Sequence, residues 1–415
     1  MTTSKKIAII GGGAAGVFSA IAAAEASPSS KIHVFEKSPN LLGKVLISGG
    51  GRCNVTHACF DPKELIDYYP RGARELLGPF HKFSCGDTME WFTDRGVELK
   101  IENDNRVFPV SNQSSTIADC LLDFANRAGV EFHLRQGLKS IVKEKNGFSL
   151  YFDSGAISSF DRVLVASGGS KRIWSDLEKL GHKIVSPVPS LFTFNVKDSR
   201  LKDMAGVSMP QVRATIPIGG FEAEGPLLVT HWGLSGPSIL KLSSFGARWM
   251  NQVDHCFSVF IDWVPGESSE DLFETLNGFR KDFDFQRKRV TSNSMFGIPL
   301  RLWKALCLFS KIPESANWSD LSKPVVRRFS GALSESIFQV AGKSTFKEEF
   351  VTSGGVALEE VNFKTFESRV VSDLYFAGEV LDIDALTGGF NFQAAWTSAW
   401  LAGHAIVNDP LHVAK

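Results

Sequence analysis

Apolar positions in the first forty residues form two short unbroken runs separated by an alanine-rich stretch. Lys6-Ile-Ala-Ile-Ile10 is too short for a helix and rich in β-branched residues, which predicts a buried parallel strand. It runs straight into Gly11-Gly-Gly-Ala-Ala-Gly16, after which Val17 to Ala26 reads as a helix stopped by Ser27-Pro28. Lys31-Ile-His-Val-Phe35 is a second strand, ending at Glu36. Further on, 130–153 alternates apolar and polar positions as small antiparallel strands do. Asp161-Arg-Val-Leu-Val-Ala166 is another buried strand, closing on Ser167, Gly168 and Gly169. Leu374-Tyr-Phe-Ala377 is the last, closing on Gly378. Gly388-Gly389 then precede a helix from Asn391 to Val407, in which Trp396 and Trp400 read as core.

Between these segments the pattern changes. Residues 191–263 hold short runs broken by Gly219-Gly220 and Gly225-Pro226, which predicts an antiparallel, barrel-like insert. Residues 266–322 lack alternation and read as helical, through Leu272, Leu276 and Phe279 and again from Leu300 to Phe309. The expected fold is α/β. A discontinuous Rossmann-like domain spans 1–190 and 350–415, a β-rich insert takes 191–265 and 323–349, and a helical subdomain takes 266–322.

Composition narrows the class. Of 415 residues, 43% are hydrophobic and 22% charged, a balance that excludes a mainly disordered chain. No apolar run reaches the roughly 18 residues of a bilayer span. The start, Met1 to Lys6, lacks the apolar stretch and cleavage site of a secretory signal. Cys53, Cys59, Cys85, Cys120, Cys256 and Cys307 are scattered, with no CxxC and no zinc-ligand spacing. Reduced thiols, no metal site and a cytoplasmic protein are expected. With 45 basic and 45 acidic side chains there is no global pull toward nucleic acid.

Strand, G-x-G-x-x-G, helix, strand and acid all fall within the first 36 residues, with Glu36 twenty positions after Gly16. Gly11 permits the tight turn, Gly13 lets a pyrophosphate approach the main chain, and Gly16 lets the helix pack on the strand. The helix start at Ala14 and Ala15 offers free N–H groups and partial positive charge. Glu36, followed by Lys37, suits a ribose diol. The motif does not separate NAD from FAD. Lys44-Val-Leu-Ile-Ser48-Gly49-Gly50-Gly51-Arg52-Cys53-Asn54 adds three glycines that no regular element accommodates. It reads either as main chain laid against a ligand, with Arg52 as a planar fork for phosphate or a ring carbonyl, or as a surface loop. At the other end, Gly378 and Glu379 suit a ribityl chain. The helix start after Gly389 suits charge developing on a flavin pyrimidine.

Ser48 to Asn54 behind a Rossmann start, Thr230-His231-Trp-Gly233-Leu-Ser235-Gly236-Pro237, and Leu374 through Gln393-Ala-Ala395 occur in order across nearly the whole chain. Together they resemble the HI0933-like or BaiN-like FAD-dependent oxidoreductases. The resemblance implies a glutathione-reductase-type FAD domain with an inserted barrel. It implies FAD contacts from Gly11, Gly13, Ala14, Ala15, Gly16, Glu36, Lys37, Lys44, Ser48, Gly49, Gly50, Gly51, Arg52, Cys53 and Asn54. It extends them to Ala166, Ser167, Gly168, Gly378, Glu379, Asp384, Gly388, Gly389, Phe390, Asn391 and Gln393. No second G-x-G-x-x-G follows, so NAD(P)H is expected as a transient reductant.

The family includes reductases of ribosomal RNA uridine, bile-acid-type enone reductases and an aminoacetone oxidase, so both RNA and small-molecule substrates are in view. A flavin-holding RNA-binding protein with secondary redox activity and a nicotinamide-only dehydrogenase are the rival readings. Cys53 and His231 are the candidate proton donors, each with a packing role as the alternative. The chain departs from the family in a shortened loop after Gly169, in His57 where relatives have Asn, and in Gly43 directly before Lys44. Arg280, Lys281, Arg287, Lys288, Arg289, Arg301 and Lys304 outweigh Asp282 and Asp284. That excess reads as a solvated helix face or as a surface for RNA phosphates.

Overall fold

A computed structural model describes residues 4–344 and 351–408. The chain divides into two compact units, Met1–Pro187 with Thr352–Lys415 and Val188–Val351. The boundary expected at 349/350 falls among residues 345–350, outside the described residues.

In the first unit, β1 (Lys6–Ile10), β2 (Lys31–Glu36), β3 (Glu131–Leu134), β4 (Arg162–Val165) and β5 (Leu374–Phe376) lie parallel in the order β3-β2-β1-β4-β5. This is the Rossmann order, with its topological switch between β1 and β4. Ile7, Ala8, Ile9, Val34, Val163, Leu164 and Val165 have no solvent exposure, which explains why these strands read as unbroken apolar runs. Val361–Asn362 and Glu367–Ser368 extend the sheet antiparallel beyond β5. Two helices, α1 (Ala14–Ala26) and α2 (Phe390–Val407), pack closely. A Cβ at Gly403 would meet Ser19 O at 2.7 Å and Ala22 Cβ at 2.8 Å, so the crossing requires a glycine.

The alternating segment 130–153 corrects one expectation. Residues 131–134 join the parallel sheet as its edge strand, because the helix Ser114–Arg127 completes a crossover from β2. Antiparallel pairing begins with Leu138–Lys143 and continues through Phe148–Phe152 and Ile157–Phe160.

In the second unit six antiparallel strands close a barrel in the order Thr193–Val196, Gly233–Ser235, Phe221–Val229, Ser208–Ile216, Cys256–Asp262, Ser336–Ser344. Period-two burial is clearest in Cys256–Asp262, where Phe257, Val259 and Ile261 point inward. Leu272, Leu276, Leu302, Trp303, Leu306, Val326, Phe329 and Leu333 share that core from three helices, Ser269–Phe279, Leu300–Phe309 and Lys323–Ser334.

Three differences from the sequence reading stand out. Pro237–Phe245 and Ala247–Gln252 are helical within the stretch read as strands, started by Pro237 at the first helical position, where no N–H is needed. Lys323–Ser334 is helical where strand was expected, its buried Val326, Phe329, Ser330 and Leu333 following helical spacing. Residues 281–289 form turns after the helix ends at Phe279, so their basic side chains do not share a helix face.

Candidate functional site

The loop after β1 separates its glycines by role. The Gly11 N–H donates to Phe35 O at 2.9 Å. Gly11 has φ +112, and a Cβ there would lie 2.5 Å from Ala166 O. A Cβ at Gly16 would sit 1.8 Å from Gly11 O. Gly13 differs: its Cβ position has no neighbouring heavy atom within 4 Å, so this side of the loop is open. No side chain caps α1 and no acid occupies its first turn, which leaves its leading N–H groups for an anion. Glu36 is held in place by main-chain donors, Gly12 N at 2.8 Å to Oε2 and Ser38 N at 2.8 Å to Oε1. Lys37 is exposed beside it.

The second glycine segment breaks the helix Gly43–Gly51 from within. Ser48 is extended, and Gly49 and Gly50 are left-handed at φ 57 and 67. A side chain at Gly49 would press on Asn54 N at 3.0 Å and the Phe108 ring at 3.1 Å, whereas Gly50 and Gly51 face open space. Arg52 is committed within the protein. It donates to Glu102 Oε1 at 2.7 Å and its guanidinium lies 3.9 Å from the Phe108 ring centroid. Cys53 is fully buried at φ 59, and burial pushes its thiol up to about 12 despite a hydrogen bond with Ser48. Among the described residues Asn54 Oδ1 is buried with no hydrogen-bond partner.

The remaining walls come from the far end of the chain. Lys44 Nζ donates to Glu379 Oε2 at 2.6 Å, and a Cβ at Gly168 would lie 3.7 Å from the same oxygen. The Gly378 N–H donates to Ser398 Oγ at 2.9 Å, and a Cβ at Gly378 would meet Ala15 Cβ at 2.9 Å. At the start of α2, Gly389 has φ +95 and lies so close to Thr56 that a Cβ would come within 2.5 Å of its main chain. The Phe390 ring stacks on Tyr68 at 4.0 Å and on His57 at 4.5 Å.

These contacts gather Ala15, Lys44, Gly168, Gly378 and Glu379 into one region, and Gly389 and Phe390 meet Thr56 and His57, which follow Gly49–Asn54 in the chain. Three predicted cofactor residues spend their side chains within the protein instead. Asn391 Oδ1 accepts from Ala385 N at 2.9 Å while its Nδ2 donates to Ala385 O at 3.0 Å. Gln393 Oε1 accepts from Thr56 at 2.6 Å and Thr88 at 2.9 Å, and its Nε2 donates to Thr397 at 3.0 Å. Asp384 pairs with Arg71.

Arg71, Tyr68, Thr88 and His57 have no motif of their own, and the sequence reading gave them no place in the site. Among the described residues His57 Nδ1 is buried without a hydrogen-bond partner, and burial lowers the ring's pKa, with the Asp104 main chain working the other way. Open glycine faces, uncapped helix starts and the orphaned Asn54 Oδ1 and His57 Nδ1 fit an elongated ligand carrying phosphate at one end and a polar ring edge at the other.

His231 belongs to the second unit, exposed on a turn where Thr230 Oγ1 accepts from Trp232 N at 3.3 Å and Gly233 N at 3.2 Å. Among the described residues no helix is long and apolar enough to cross a membrane.

A Rossmann sheet whose glycine-loop helix packs on the last helix is the frame of a dinucleotide-dependent enzyme. The chain belongs to the HI0933-like family, residues 5–405 matching the HI0933-like protein Rossmann domain. It is 28% identical to a 3-dehydro-bile acid delta(4,6)-reductase of Clostridium scindens, over 98% of this chain and 100% of that protein. It is 29% identical to a ribosomal RNA dihydrouridine synthase of Escherichia coli, over 96% and 97% respectively. A 3-ketosteroid-delta4-(5alpha)-dehydrogenase from Rhodococcus jostii RHA1 shares the fold, with TM-score 0.51 and 12% identity, over 98% of this chain and 97% of that one.

Proposed function

We propose that the protein is a reductase that draws on NAD(P)H and adds hydrogen across a carbon–carbon double bond conjugated to a carbonyl, with uridine in ribosomal RNA as the favoured acceptor. The observation that carries the redox part is the open face at Gly13, directly before the uncapped start of α1, with Gly50 and Gly51 open in the second glycine segment. FAD, if held there, would supply the two-electron chemistry between nicotinamide and acceptor. In this reading α1 and the Gly13 main chain hold the pyrophosphate and Glu36 the ribose. Gly49–Asn54, Gly378–Glu379 and the start of α2 line the ring and ribityl portions.

Both curated relatives bear names that denote hydrogenation of an unsaturated ring, one of a bile acid and one of a base in RNA. Uracil's reactive double bond is conjugated to a carbonyl, so one mechanism serves both: hydride to the far carbon and a proton to the carbon next to the carbonyl. Of the two candidate donors Cys53 is disfavoured, because burial holds the proton on its thiol, which leaves His231.

RNA is favoured by the loop 281–289. Lys281, Arg287, Lys288 and Arg289 are exposed there, and Phe283 is 83% exposed among them. Phe283 stands in solvent between Asp282 and Asp284, with Lys281 before them and Arg287, Lys288 and Arg289 after, and such a ring suits stacking on an unpaired base while the flanking cations meet phosphates.

Anaerobic mixing with NADPH tests the redox reading, because the yellow chromophore should bleach and recover on addition of acceptor. No bleaching with either nicotinamide would discard it, and fast reoxidation by air alone would favour an oxidase. Comparing dihydrouridine in ribosomal RNA from cells with and without the protein decides the substrate. An unchanged profile would return the choice to enones.

A further inference from the structure

We propose that His33, Glu131 and His133 form a binding site for a divalent transition-metal ion, Zn2+ by ligand chemistry, at the outer edge of the Rossmann sheet. His33 lies 100 positions from His133, only Phe132 separates His133 from Glu131, and strand register brings the three together. His33 on β2 pairs with Glu131 on β3, and Phe35 pairs with His133, so alternation puts all three side chains on one face.

Their ligand atoms converge. His33 Nδ1 lies 3.2 Å from Glu131 Oε2 and 3.1 Å from His133 Nε2, and all three atoms fall within 4.8 Å of one another. Around a tetrahedral ion with bonds of about 2.0–2.1 Å, ligand atoms stand about 3.3 Å apart. Two imidazoles and one carboxylate also form a donor set that zinc enzymes use when one position stays open. Here the exposed Glu131 leaves that position facing solvent.

The rings are held before any ion arrives. His133 stacks on Phe35 at 4.6 Å, and Phe160 meets the His33 ring edge-on at 5.5 Å. His33 is buried, and burial holds its pKa below the usual value, with Glu131 working the other way. A neutral imidazole is the ligating form. Lys6 and Lys31 are the opposing charges near His33 and weaken cation binding without touching the ligand geometry. Because β3 is the last strand of the sheet, an ion there would join it to β2 by bonds stronger than its short hydrogen-bonded ladder.

The test uses the full chain, freed of metal by a chelator. Zn2+ titrated by calorimetry should bind once per chain and raise the unfolding temperature. Co2+ in its place should give the strong visible bands of a tetrahedral site. His133→Ala should weaken Zn2+ binding at least about a hundredfold and abolish the Co2+ bands, since even outer-shell losses cost about 10–100-fold. Glu131→Gln, on an exposed side chain, should weaken binding in the same direction and serves where His133→Ala fails to fold. No uptake by the native protein, or uptake unaltered by Glu131→Gln and His133→Ala, would overturn the proposal. The second outcome would mark an adventitious ion on scattered surface groups.

Discussion

Arg71 and Asp384 are joined twice: their main chains form an antiparallel bridge, and their side chains form a buried bidentate ion pair. The pair ties the loop before one short helix to the loop that leads into α2, across 313 positions of sequence. Asp384 has no solvent exposure and Arg71 only 9%. Removing one partner strands a charge in the interior, at a cost of about 3–5 kcal/mol. Arg71→Leu should therefore lower unfolding stability in urea by that amount, and Arg71→Lys should recover only part because it lacks the fork. A loss under about 1 kcal/mol, the scale of a surface pair, would show that the pair is dispensable.

Gly13 and Gly16 belong to one motif but should fail differently. Gly16→Ala puts a methyl 1.8 Å from Gly11 O, so the loop must shift and the apoprotein itself should be destabilised. Gly13→Ala meets nothing within 4 Å and keeps an ordinary φ of −84. Its unfolding temperature should stay near the native value while retained flavin, read from the visible spectrum, falls sharply. Equal loss of stability in both variants would remove Gly13 from the binding surface.

The strand–glycine–helix start was legible because it is local: period, turn chemistry and the acid at position 36 all fall in one stretch. Side-chain duties across the fold were not. Asp384, Asn391 and Gln393 lie around the start of α2 and bond to Arg71, Ala385, Thr56, Thr88 and Thr397, partners that no spacing rule supplies. The basic residues at 281–289 were visible as charge. Their turns were hidden because apolar residues on both sides continue a helical rhythm.

Cys53 provides a chemical test of burial. Desolvation holds its thiol near 12, so at neutral pH almost none is thiolate and alkylation should pass it by. Cys256 is exposed and should be labelled first by iodoacetamide, with Cys53 modified only on unfolding, as peptide mass spectrometry would show. Cys53→Ala should also keep turnover within tenfold of native, whereas losing a working general acid costs about 10²–10⁴-fold. A loss of that larger size would restore Cys53 to the mechanism.

His182 sets a direction for pH dependence. Its side chain is buried between Glu360 Oε2 at 2.8 Å and Ser368 Oγ at 2.9 Å. Burial lowers its pKa from 6.5, with Glu360 only partly offsetting. The unfolded chain therefore binds more protons than the folded one as pH drops below about 6.5. Stability should be complete above that value and fall as pH moves down toward the lowered folded value. His33, His57 and His255 are shifted the same way and add to the slope. Unfolding temperatures between pH 7.5 and 5.5 should decline, and less steeply for His182→Gln. Parallel curves for the two proteins would mean that His182 accepts its proton in the folded state at no cost.

The loop 281–289 can be separated from the flavin site by charge. Among the described residues Lys281, Arg287 and Arg289 form no ion pair, and the five cations of 280–289 outnumber Asp282 and Asp284. Each phosphate contact contributes about 0.7–0.9 to the slope of log affinity against log salt. Arg287→Glu with Arg289→Glu should weaken binding to a ribosomal RNA fragment and flatten that slope by roughly two contacts' worth. Flavin content and NADPH-driven bleaching should not change. Phe283→Ala should weaken RNA binding by about 1–3 kcal/mol with the salt slope intact, the mark of a lost stacking contact. If none of these substitutions alters RNA affinity, the loop is only a solvated turn and the acceptor is better sought among small enones.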